Sequence, residues 1–142
     1  MKIAVIDGQG GGIGRSIVEK LKASAPNAKV LALGTNATAT DRMLKAGADE
    51  GATGENAIVH NVQNVDIITG VIAILNANAL MGELSPRIAE AVGASRAAKV
   101  LLPINRCGIY VVSVREAPLA THIDNAVAVI KGILDGEAAR PG

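Results

Sequence analysis

The chain has no tryptophan and no phenylalanine, one tyrosine (Tyr110) and one cysteine (Cys107). Any core must therefore be aliphatic. Aromatic platforms for stacking bases are missing, and the lysines and arginines are scattered along a chain of net charge +1. No nucleic-acid partner is expected from that composition. A single cysteine excludes an internal disulfide and fits a reducing compartment. One cysteine with two distant histidines, His60 and His122, gives no metal-ligand spacing, so no metal is expected. The opening residues lack an apolar run long enough for a signal peptide. The apolar stretch at 67–75, broken by Thr69 and Gly70, is too short to span a bilayer. These absences together predict a soluble, cytoplasmic protein with no membrane partner.

What is present is a globular composition: 49% apolar and 19% charged residues in 142. That length suits one domain, expected over 1–136 with 137–142 as a frayed tail. Apolar runs at 2–7, 29–33, 65–69, 99–104 and 109–114 predict strands, and 48–54 reads as loop or one short strand. Helices are expected at 12–23, 41–46, 55–63, 86–92 and 119–134. Ser85-Pro86 supplies a cap followed by proline at the first helical position. Strands alternating with helices point to a doubly wound α/β fold: a mostly parallel sheet of about five strands, helices on both faces. The stretch 71–84 is ambiguous. The aliphatics of 71–92 fit either a buried helix over the sheet or a subunit interface, and with 119–134 they suggest a homo-oligomer, taken as a homodimer.

The most informative segment is Gly8-Gln9-Gly10-Gly11-Gly12-Ile13-Gly14, where five glycines fall within seven residues between a strand and a helix. Bare backbone N–H groups at a helix N-terminus suit a phosphate. The spacing Gly8-x-x-x-Gly12-Ile13-Gly14 resembles the cofactor turn of short-chain dehydrogenases. That resemblance covers about the first quarter of the chain. The family's catalytic Tyr-x-x-x-Lys is missing, because Tyr110 is followed four residues later by Val114. Its activity therefore does not carry over. The opening residues 1–14 and the segment Pro103-Ile104-Asn105-Arg106-Cys107 resemble, over nearly the whole length, a small bacterial family of unknown function. That resemblance implies a Rossmann-like domain.

The expected ligand is a small phosphorylated molecule: NAD or NADP, or otherwise another nucleotide. The residues expected to hold it are Asp7, Gly8, Gln9, Gly10, Gly11, Gly12, Ile13, Gly14, Thr35, Asn36 and Asn105. Two features argue against a dinucleotide. Asp7 would face the phosphates unless its carboxylate turns away. The second strand ends Leu33-Gly34-Thr35-Asn36, with no acid for a ribose diol and no arginine for a 2′-phosphate. Two other functions are open. One is an enzyme acting on a small phosphorylated or carboxylated substrate, with Cys107 as nucleophile, Arg106 as anion clamp and His60 as base. The other is a non-enzymatic homo-oligomer that senses a ligand.

Overall fold

The computed structural model describes residues 1–104 and 107–136. Strand β1 (Lys2–Asp7) is buried from Ile3 onward on both faces, as a central strand of a covered parallel sheet must be. It is flanked by β2 (Lys29–Gly34) on one side and β4 (Ile67–Val71) on the other. Strands β3 (Glu50–Thr53) and β5 (Ala98–Leu102) complete the order β3-β2-β1-β4-β5. All pairings are parallel, with Val5 beside Ala32 and Thr69. This is the doubly wound, Rossmann-like arrangement expected from the alternation of elements.

Helices α1 (Gly12–Ser24), α2 (Ala37–Lys45) and α5 (Leu119–Leu134) pack together on one face. Helices α3 (Glu55–Asn61) and α4 (Pro86–Ala94) pack on the other. The buried residues of α1 include Ile17, Val18 and Leu21, and those of α5 include Ile123, Val127 and Ile130. Each fully buried aliphatic side chain of this size contributes about 1.5–3 kcal/mol relative to exposure. The Ser85 hydroxyl accepts the Ile88 N–H at 3.2 Å and caps α4, with Pro86 following it. No helix among the described residues is long and apolar enough to cross a membrane.

Three expectations need correction. Residues 109–114 are not a strand. Cys107, Gly108 and Ser113 have left-handed backbones that turn the chain, and Tyr110 and Val112 are exposed. β-Branched composition yields a strand only where a neighbouring strand accepts it. The fifth strand is instead the short β3. Helix α2 begins at Ala37, earlier than expected, because the Asn36 side chain accepts the Ala39 N–H at 2.9 Å and starts it. The 71–84 stretch is not a long helix. A single 3-10 turn (Ile72–Leu75) gives way to tight turns closed by a bridge between Ala79 and Leu84. Ala73, Ile74, Ala79, Leu84, Ile88 and Val92 are buried in the chain's own core. Ile72 and Leu80 are half-buried, and Leu75 and Met81 remain exposed.

Candidate functional site

The chain leaves β1 towards one face of the sheet and β4 towards the other, so their carboxyl ends border a crevice at the topological switch point. The glycine turn forms its rim. The Gly11 N–H donates to Gly8 O at 3.0 Å, and the left-handed backbones of Gln9 and Gly11 turn the chain into α1.

The glycines divide by what a side chain would meet. A Cβ on Gly8 would strike the Thr35 hydroxyl and lie 3.0 Å from Leu80 Cδ1. One on Gly11, itself left-handed, would lie 2.7 Å from Ala39 Cα. One on Gly14 would lie 2.8 Å from both the Asp7 side chain and Met43 Sδ. These three are required by the close approach of strand and helices. Gly10 and Gly12 are not: a Cβ on either meets nothing within 4 Å, and neither backbone is left-handed.

Two carboxylates already serve the turn. Asp7 is buried and turned beneath it; its Oδ1 accepts the Gly8 N–H at 2.8 Å and its Oδ2 the Gly14 N–H at 2.6 Å. Glu83, from the loop after β4, reaches across the turn. Its Oε1 accepts the Gln9 N–H at 2.9 Å, the Thr35 hydroxyl at 2.7 Å and the Asn36 amide at 2.8 Å. The Thr35 hydroxyl, then the Gln9 N–H and the Asn36 amide, outweigh burial and hold the Glu83 carboxyl below the usual carboxylate range. The backbone N–H groups of Gly10, Gly12 and Ile13 have no partner among the described residues.

A cleft of about 310 Å³ lies over this rim, bounded by Gly10, Gly12, Ile13, Val71, Leu80 and Leu119. Through Ile13 and Leu119 it shares walls with a larger hollow of about 750 Å³, bounded by Pro103 and Ile104, by the loop before α5 and by the first turn of α5. Tyr110, Arg115, Glu116 and His122 line that hollow.

The model of a family described as a domain of unknown function (DUF3842) matches residues 2–135. The chain belongs to this family. No curated protein matches the DUF3842 chain in sequence. Among solved structures it is similar to a universal stress protein, crystallised in complex with cAMP. That likeness has a TM-score of 0.39 at 21% identity and covers 69% of this chain and 94% of the other.

In this DUF3842 member, the expected ligand residues from Asp7 to Gly14, with Thr35 and Asn36, do converge at the end of β1 and β2. Thr35 and Asn36, however, already spend donors on Glu83. Asn105 and Arg106 lie outside the described residues. Cys107 is exposed and is not among the residues walling either cleft. His60 is exposed in the last turn of α3, which runs antiparallel to the strands, so it lies towards the opposite edge of the sheet. The fold thus does not bring His60 to the glycine turn. No group of three or more His, Cys, Asp or Glu able to hold a metal occurs among the described residues. Sequence reading gives no role to Glu83, Arg115 or Glu116 and does not place His122 at the larger hollow. None sits in a local pattern. Glu83 reaches the turn from the loop after β4, and Arg115, Glu116 and His122 meet in the larger hollow, each only through the fold.

Proposed function

We propose that the chain binds the phosphate of a nucleotide or similar small phosphorylated ligand on the N–H groups of Gly10, Gly12 and Ile13. The carrying observation is that Gly10 and Gly12 are glycines where the chain has room for a side chain. The space they leave opens on the switch-point cleft. Backbone bare of Cβ lets a phosphate approach the N–H groups and the positive end of α1.

The acids nearby shape the ligand. Asp7 directs both oxygens to the turn's own N–H groups, so its charge lies beneath the loop. Glu83 adds negative charge at the rim, and a ligand bringing a divalent cation is favoured over a bare polyphosphate. Leu80 and Glu83 lie over Gly8 and Gln9 on the β2 side, where the adenosine half of an extended dinucleotide would run. A mononucleotide extending towards Tyr110 and His122 therefore fits better than NAD or NADP.

The test is thermal unfolding with AMP, ADP, NAD and NADP, each with and without Mg²⁺. A mononucleotide should raise the unfolding temperature of the wild type. Gly12→Val, which has room to fold, should unfold like the wild type without ligand and lose the ligand shift. The proposal is wrong if no mononucleotide shifts the wild type, or if Gly12→Val keeps the full shift.

A further inference from the structure

Glu83 is bound as a ligand would be. Three neutral donors from two different strand ends converge on its single Oε1: Gln9 N–H, Thr35 hydroxyl and Asn36 amide. Asn36 is oriented for this by its own second contacts, with Oδ1 capping α2 and Nδ2 also reaching Gln9 O at 3.0 Å. The donors belong to a rigid frame, since Thr35 N–H is tied to Asp7 O at 2.9 Å and both flanking strands are central. The loop that delivers Glu83 is not so restful. Asn78, Leu80 and Met81 hold φ of 66°, 57° and 56°, a left-handed conformation that side chains other than glycine resist. Met81 at its tip is 96% exposed.

We infer that the Gln9, Thr35 and Asn36 donors form a second oxyanion site, filled in cis by Glu83 and opened to a phosphate when the 76–84 loop lifts. Relief of the left-handed turns offsets part of the cost of withdrawing Glu83, so a ligand oxyanion competes with a tethered carboxylate rather than with water. A tethered carboxylate weakens binding of a free oxyanion by about tenfold where its effective concentration is about ten times its own dissociation constant for these donors. The donors are distinct from those at Gly10, Gly12 and Ile13, so the two phosphate positions can be told apart residue by residue.

The experiment is titration of ¹⁵N-labelled protein with inorganic phosphate, followed by NMR. In Glu83→Ala, phosphate should bind about tenfold more tightly than in wild type, with the shifts centred on the Gln9 N–H and the Asn36 side-chain amide. Glu83→Gln removes the charge but keeps an occupant, and should gain much less. Should Glu83→Ala fail to fold, Glu83→Ser takes its place. Equal gains in the alanine and glutamine variants, with Gln9 and Asn36 unmoved, would reduce Glu83 to a distant charge and overturn the inference. So would unchanged affinity in the alanine variant. Shifts at Gly10, Gly12 and Ile13 report separately on the proposed turn site, and the outcome at Gln9 and Asn36 stands whether or not they occur.

Discussion

The Gly14 N–H donates to Asp7 Oδ2 at 2.6 Å, tying the first turn of α1 to the last residue of β1. A buried carboxylate here does the work of a helix cap from seven residues upstream, while its other oxygen accepts the Gly8 N–H.

Asp7→Ala leaves two buried N–H groups without their acceptor. It should cost about 2–4 kcal/mol in urea unfolding. Asp7→Asn, which keeps one carbonyl oxygen, should cost about half as much. Gly14→Ala should cost about 1–3 kcal/mol, because its Cβ would press on Asp7 and Met43 Sδ, each 2.8 Å away. Gly12→Ala, in open space, should change stability by less than about 1 kcal/mol or raise it. Equal losses at Gly12 and Gly14 would contradict the division between packing glycines and spare ones.

Thr69 is fully buried in β4, and its hydroxyl has no partner among the described residues. Valine has the same shape without the polar atom. Thr69→Val should therefore stabilise the protein by about 1 kcal/mol or more, read as a higher urea midpoint at unchanged slope. A lower midpoint would mean that the hydroxyl is satisfied in solution.

Acid should weaken the fold through Glu83 and Asp49. Bonds from the Thr35 hydroxyl, the Gln9 N–H and the Asn36 amide lower the Glu83 value. The Val30 N–H and the Lys22 ammonium lower that of Asp49. A carboxylate whose folded value is depressed contributes stability above its unfolded value, about 4 for these side chains, and loses it as pH falls through the folded value. Stability should be flat from pH 7 to about 5 and decline below about 4. In Glu83→Gln the decline should be shallower. Superimposable acid limbs for the two proteins would show that the Glu83 bonds contribute nothing in solution.

Much of this architecture was legible locally. The run Ile3-Ala4-Val5-Ile6 is apolar on both faces, and β1 is covered on both. Spacings of three and four placed Ile17 with Leu21, and Ile123 with Val127 and Ile130, inside their helices. Ser85 with Pro86 marked the start of α4. Residues 109–114 carry strand composition just as clearly, yet remain exposed loop. Composition reports a preference, and pairing needs a neighbour that no local window contains. The glycine turn showed the same limit. Its sequence marks a backbone open to an anion, but which glycines are spoken for depends on Ala39, Met43 and Leu80, each 28 or more positions from the glycine it crowds.

The sequence by itself determined an aliphatic core, alternating strands and helices, and a glycine-rich turn between the first strand and the first helix, because these follow from composition and short-range periodicity. Tertiary structure alone decided that Asp7 turns under that turn and that Glu83 closes over it. It also decided that Gly10 and Gly12 are left with empty space. These outcomes depend on where a loop lands after β4 has paired beside β1. The energy that settles them comes from contacts such as Glu83 with Gln9, 74 residues apart in the chain.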